Sequence, residues 1–193
     1  MRLAALAVLS LLVLAGCGQQ SASHHDGSAS SVSSTSSVSA TPSREVKVSL
    51  SAVVELMHNR WGDDVDLTSI EIEPVGSRYQ YEVEAVNDDT EYQMVLNGRT
   101  GKVVRHSEQP LDADEAGGAE RREKGIATDK LRALGHVTAA ATKAVPGTAT
   151  EWSLEKDDGV PVWSVKVRSK QGTMHEVDVQ ADNVAVLSSE DDD

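Results

Sequence analysis

The 193-residue sequence has no phenylalanine, and its aromatic content comes from three tryptophans and three tyrosines. A folded core must therefore be filled by Val, Leu, Ile, Ala and Met. Cysteine occurs once, at position 17, which excludes an intrachain disulfide, a Cys-x-x-Cys redox pair and a cysteine-rich zinc site. Bases are scarce, with 18 Lys and Arg against 31 Asp and Glu and a net charge of -13. Affinity for nucleic acid comes mainly from Lys and Arg on phosphates, so no nucleic-acid partner is expected. Catalytic signatures are also missing: there is no G-x-S-x-G elbow, P-loop, G-x-G-x-x-G or H-E-x-x-H. No enzyme activity, cofactor or metal is expected.

What is present begins with an export signal. Arg2 supplies the positive charge, and Leu3 to Leu14 is apolar apart from Ser10. That run is too short for a bilayer core, which takes about 20 residues. It ends in Leu14-Ala15-Gly16-Cys17, which resembles the lipobox of bacterial lipoproteins. The resemblance implies a signal peptide over 1–16, a diacylglyceryl group on Cys17 as the lipid attachment, and Cys17 as the mature N-terminus. Membrane contact through that anchor is the first partner expected. The location implied is the extracytoplasmic face of the cell membrane. One acyl chain binds a bilayer marginally and two hold stably, at about 0.8 kcal/mol per buried CH₂.

Residues 17–44 follow as a serine-rich tether. Gly18 to Ser43 holds 11 serines and one charge, Asp26, so it has little to bury against the entropy of ordering. A coil of that length spans ~25–31 Å. His24-His25-Asp26 is the one group in it with a metal-ligand look, and it has no third ligand in reach, so it reads as polar linker.

The remainder shows one order of elements twice, over 45–106 and 126–188, around an acidic linker at 107–125. In the first copy Leu50, Val53, Val54 and Met57 recur at helical spacing before Trp61-Gly62. Period-2 runs follow at Ile70 and Ile72, at Tyr79, Tyr81, Val83 and Ala85, and at Tyr92, Met94 and Leu96, with Val103 and Val104 last. Turn residues separate them at Gly76-Ser77, Asn87-Asp88-Asp89 and Asn97-Gly98-Arg99-Thr100-Gly101. In the second copy a helix around Leu131 to Val145 ends at Pro146-Gly147. Alternating runs then hold Trp152 and Leu154, Trp163, Val165 and Val167, and His175, Val177 and Val179, and Val184 to Leu187 closes the unit. Tyr81-Glu82-Val83 lies over Trp163-Ser164-Val165, and Tyr92-x-Met94-x-Leu96 over His175-x-Val177-x-Val179. The fold class expected is α+β: two repeated units, each a helix packed on an antiparallel sheet of three to four strands, in two homologous domains.

These features resemble the PepSY family of peptidase propeptide and YpeB-type domains. The carriers are Ala139 to Gly147 as the helix-to-Pro-Gly junction, the Tyr81-x-Val83 strand, and Asn97-Gly98-Arg99-Thr100-Gly101-Lys102-Val103 as the closing turn, with Asn97 in the usual Asp place. The second copy departs at Gln180-Ala181-Asp182-Asn183, which lacks Thr-Gly, and the first at Trp61-Gly62. The resemblance implies a non-catalytic module that regulates or inhibits peptidases at the cell surface. A secreted or surface peptidase is the partner it points to. Another envelope protein, reached by a scaffold or sensor accessory with no peptidase link, is the alternative.

The remaining candidates read as structure. His58, His106, His136 and His175 are spread one per element, and His175 falls in the inward strand phase. Asp63-Asp64-Val65-Asp66 lacks the Gly and spaced Glu of an EF-hand and reads as a solvated connection. Trp61, Trp152 and Trp163 fill core volume in a chain without Phe. The first repeat has 12 acids against 6 bases and the second 8 against 7, while residues 189–193 form an acidic tail. That balance repels anionic polymer and steers basic partners. Replacing Cys17 by Ala is expected to release the protein into the medium or leave it unprocessed. Recovery of the variant in the membrane fraction at the normal mature mass would refute the lipid anchor.

Overall fold

In the computed structural model, which describes residues 45–191, the first helix starts where Ser49 Oγ accepts the Ala52 N–H at 3.2 Å. The expected signal peptide (1–16), Cys17, the tether to residue 44 and the end of the acidic tail lie outside the described residues. Helix α1 (Leu50–Trp61) buries Leu50, Val53 and Met57, one stripe at helical spacing. It stops at Gly62, whose φ of 91° suits a residue without Cβ and whose N–H returns to His58 O at 2.8 Å.

Four antiparallel strands follow: β1 (Asp66–Val75), β2 (Arg78–Val86), β3 (Thr90–Asn97) and β4 (Val103–Pro110). Asn side chains shape two of the turns. Asn87 Oδ1 accepts the N–H groups of Asp89 and Thr90 at 3.0 and 2.8 Å. Asn97 Oδ1 does the same for Arg99 and Thr100, both at 3.0 Å. Asn97 thus performs the turn closure with an amide oxygen in place of a carboxylate.

The second half repeats this plan after a short helix α2 (Ala119–Lys124) and a 3-10 turn at Thr128–Lys130. Helix α3 (Leu134–Ala144) buries Val137 and Ala141, and β5 (Gly147–Asp157), β6 (Val160–Ser169), β7 (Met174–Gln180) and β8 (Val186–Asp191) form the second meander. The strand order is β4-β3-β2-β1-β5-β6-β7-β8. The two sheets expected from the repeats are thus halves of one eight-stranded antiparallel sheet. The helical stripes and the inward residues of both halves, from Ile70 and Tyr81 to Leu154 and Trp163, share one buried cluster. Both helices therefore lie on one face of the sheet. Two boundaries move. The stretch expected to begin the linker at Ser107 continues β4 as far as Pro110, and Ser189 to Asp191 of the tail extend β8. Both are edge strands, which do not need the apolar alternation that marks a buried strand.

The repeats match down to their irregularities. Ile72 faces Tyr81 as Leu154 faces Trp163, and Val83 faces Met94 as Val165 faces Val177. The ladder slips at Thr68 in β1 and at the corresponding Thr150 in β5. It slips again at Val104 in β4 and at the corresponding Leu187 in β8. Equal bulges in equal places mark one unit used twice.

The seam between halves is short. β1 and β5 pair only at Ile70↔Leu154, Glu71↔Ser153 and Ile72↔Trp152. Ile70 is the counterpart of Trp152 and Ile72 of Leu154, so each strand pairs with its own counterpart and Glu71 faces Ser153. A local two-fold axis passes through that pair. Beyond it the next positions would set Glu73 against Glu151, like charges face to face, and then Pro74, which has no N–H to give. At the other end the bulge at Thr68 parts the strands.

Because one buried cluster spans the seam, the halves are expected to unfold together. Urea unfolding should show the same midpoint for a chain with Trp61 as its one tryptophan and a chain with Trp163 as its one tryptophan. Leu154→Ala, which empties a fully buried site beside the seam, should cost ~2–5 kcal/mol and shift both midpoints. Separate midpoints would show that the repeats fold as independent domains.

Candidate functional site

The alternation that buries one face of the sheet sets acids on the other. Glu71, Glu73, Glu82 and Glu84 stand on β1 and β2, and Glu155, Glu176 and Asp178 on β5 and β7, alternating with inward residues such as Ile72, Val83, Leu154 and Val177 that are fully buried. Glu71 and Glu82 face each other directly in the ladder. Desolvation pushes the Glu71 carboxyl up from its usual range, and the charges of Glu82, Glu73, Glu84 and Glu155 push it further. Polar neighbours soften part of this field. Gln93 Nε2 donates to Glu82 Oε1 at 2.6 Å, Ser69 Oγ to Glu84 at 3.1 Å, and Ser164 and Ser188 to Asp178, both at 2.7 Å. Arg105 lies 3.8 Å from Glu82.

The linker supplies a cation that the sequence pattern did not reveal. Arg121, on α2, donates to Asp66 and Asp64 at 2.8 Å each and reaches Asp88 at 3.4 Å. These bonds hold its guanidinium charge more firmly than usual, Asp66 first. The Asp63 to Asp66 connection, expected as plainly solvated, is in fact clamped to the linker. Lys124 pairs with Glu120 at 2.6 Å. Lys156 Nζ, at the end of β5, donates to the carbonyls of Gly125 and Arg122 at 2.9 and 3.2 Å.

The histidines stay apart, as their spacing implied. His58 Nδ1 contacts Gly62 O at 3.2 Å, His106 and His136 are exposed, and His175 Nδ1 sits 2.8 Å from Asp191. Among the described residues no three His, Cys, Asp or Glu are grouped to hold a metal ion. Trp163 and Trp152 are buried, at 0% and 8% exposure, and Trp61 stacks obliquely on Tyr92 at 5.0 Å while donating to Glu108 at 3.1 Å. Trp152 donates to Thr138 Oγ1 at 3.0 Å and meets Tyr79 edge-on at 5.6 Å. Among the described residues no helix is long and apolar enough to cross a membrane. Cys17, the one residue singled out from sequence for covalent chemistry, lies outside the described residues.

The sheet therefore offers a broad acidic face, two edge strands and no gathered catalytic set among the described residues. This is a duplicated helix-and-meander module, its copies fused edge to edge. The chain belongs to the PepSY family, "Peptidase propeptide and YPEB domain", whose profile matches residues 63–106 and 135–190. A stretch of 53 residues is 36% identical to "Uncharacterized protein YkoJ" of Bacillus subtilis (strain 168), covering 28% of this chain and 31% of that protein. The likeness thus spans about a third of that relative's length. A crystal structure of a "putative lipoprotein" from Clostridium difficile 630 has a TM-score of 0.70 at 23% identity. The match covers 77% of this chain and 96% of that one, and it establishes the fold.

The opposed glutamates give a titration test. A carboxyl whose folded pKa is raised binds more protons folded than unfolded, so its stabilising contribution is full below about pH 4.5 and is lost as pH rises through the raised value. Glu71→Gln is therefore expected to raise Tm by about 1–3 °C at pH 7, the worth of one like-charge cross-strand contact, with the gain vanishing below pH 4. An equal gain at both pH values would show that charge is not the cause.

Proposed function

We propose that this chain is a non-catalytic, lipid-anchored module on the extracytoplasmic face of the cell membrane. Cys17 carries its diacylglyceryl anchor, and the module binds and restrains a secreted or surface peptidase. The single observation that carries the reading is the PepSY match in both halves of the sheet, and the restraint proposed is of a separate peptidase, in trans. The name carried by the Clostridium difficile relative agrees with the anchor.

The surfaces support a protein partner over a small substrate. β4 and β8 end the sheet with unpaired backbone groups, and an extended segment can pair there. The acidic face attracts basic surfaces and speeds their encounter at low salt. The four described histidines, the residue type most often used in general acid–base chemistry, stand on separate elements.

Residues 18–193, prepared without the anchor, should inhibit one of the host's own surface or secreted peptidases at micromolar concentration, more strongly at low salt. Unchanged peptidase activity at high micromolar excess, together with recovery of a kinase or wall enzyme after crosslinking in cells, would replace this reading with an envelope scaffold.

A further inference from the structure

The two-fold axis of the sheet creates two equivalent wedges, one at each end of the β1–β5 seam, and the described residues fill only one of them. In the filled wedge the linker runs between the parted strands. The Ile126 N–H donates to Leu67 O at 2.8 Å, its side chain is 4% exposed within the shared core, and Lys156 holds Gly125 from the β5 side. Leu67 and Ile126 form an isolated antiparallel bridge.

The axis carries Leu67 onto Ala149, so the second wedge lies where β5 begins. There the ladder cannot continue, because Glu73 would oppose Glu151 and Pro74 has no N–H. An open groove of about 690 Å³ stands at this place on the helix face. Val46 and Val48 form one wall, Leu134 and Thr138 of α3 the other, and Ala149 and Trp152 the floor. Among the described residues no backbone N–H from outside the sheet bonds the Ala149 carbonyl, and Trp152, which reaches Thr138 Oγ1 at 3.0 Å and meets Tyr79, leaves the groove open above it. The residues that precede α1 as Ile126 precedes α3 are Pro42, Ser43 and Arg44. None is Ile, Leu or Val, and proline has no N–H to donate to a carbonyl.

We infer that this groove binds an extended aliphatic segment of a partner protein. One Ile, Leu or Val side chain seats over Ala149 and Trp152, and its backbone N–H bridges to the Ala149 carbonyl, as Ile126 does to Leu67. The occupant is fixed by the chain's own example: the same backbone edge and the same floor position already hold an aliphatic residue in the twin wedge. β-Bridging supplies the main-chain bond and the pocket selects the side chain. The inference rests on the protein-binding part of the reading above and names where that binding occurs.

The twin wedge also supplies the probe, a blocked peptide copying residues 123–129 (Glu-Lys-Gly-Ile-Ala-Thr-Asp). Added to ¹⁵N-labelled residues 18–193, it should shift amide signals at 45–49, 134–138 and 147–151. The same peptide with Ser for Ile should bind at least tenfold more weakly. Gly135 lines the groove, and a Cβ there would meet nothing within 4 Å, so Gly135→Trp should fill the groove, abolish the shifts and keep the melting temperature. Leu134→Lys is the second blocking variant should Gly135→Trp fail to fold. Equal binding by the Ser peptide, binding that survives both variants, or shifts confined to β4, β8 or the acidic face would overturn the inference. So would tenfold tighter binding after Pro42→Gly, Ser43→Gly and Arg44→Gly together, which would give the groove to the chain's own segment. Concentration-dependent shifts at these residues without peptide would give it to a second copy and overturn it as well. A peptidase still inhibited by Gly135→Trp would refute the groove and leave the function standing, whereas peptide binding with no peptidase affected would do the reverse.

Discussion

Three facing residue pairs in the middle of an eight-stranded sheet hold the two repeats in one body. The Ile70 to Ile72 segment meets Trp152 to Leu154 antiparallel, and its two isoleucines lie in a cluster that both helices cover. Every other neighbouring pair of strands in the sheet pairs over a longer stretch. Backbone bonds alone would make this a weak joint, since each contributes only about 1 kcal/mol net. Burial does more: Ile70, Ile72 and Leu154 are fully buried and Trp152 nearly so, at ~1.5–3 kcal/mol per large apolar side chain. The seam is thus a hydrophobic contact that happens to run through a ladder.

Its brevity has, besides Pro74 and the bulge at Thr68, an electrostatic cause that also shapes the surface. An antiparallel sheet with helices on one face leaves the other to water, and here that face is populated largely by carboxylates. Burial first, and then the charges of the facing acids, raise the Glu71 carboxyl, and like charges opposed across a ladder cost stability. The sequence partly offsets the cost by interleaving Gln93, Ser69, Ser153 and Ser164 and by Arg121 at the base of β1. Arg121 serves a second purpose. By bonding Asp64 and Asp66 it fixes α2 near the start of β1, which delivers Gly125 and Ile126 into the wedge beside Leu67. Charge pairing at the surface and burial in the core therefore position the same linker.

The parts of this fold that were legible in the sequence are those where one residue type has one physical use. Alternation of Tyr79, Tyr81, Val83 and Ala85 against Gln80, Glu82 and Glu84 marks a half-buried strand, and Asn97 to Gly101 marks a turn, because few other conformations satisfy those residues. The seam was not legible. Ile70-Glu71-Ile72 reads the same whether its outer edge meets water or another strand, since ladder partners leave no mark on side-chain alternation. β4 beyond Val104 was hidden for a related reason: Arg105 to Gln109 carry no buried side chain, so a strand held by backbone bonds and surface polar contacts looked like linker. Arg121 was one base in an acidic run, and only folding shows that three aspartates distant in sequence converge on it. That His58, His106, His136 and His175 stand apart was legible, because they fall one to an element.

Fusing two copies into one chain removes a constraint that a symmetric dimer obeys. In a dimer both ends of the seam would be identical, and any residue that filled one wedge would fill the other. Here the counterparts are free to differ. Glu71 faces Ser153 where a dimer would face Glu with Glu, so one repulsion is removed at the axis. Tyr81 sends its hydroxyl to Val48 O at 2.7 Å, while its counterpart Trp163 is fully buried with no hydrogen-bond partner for Nε1 among the described residues, a cost of symmetry lost. The linker closes one wedge because it must join the halves, and no joint is needed at the other. The wedge at Ala149, open among the described residues, is therefore a consequence of connectivity, and it leaves a backbone edge and an apolar floor in a place where the joining of the halves makes no demand on them.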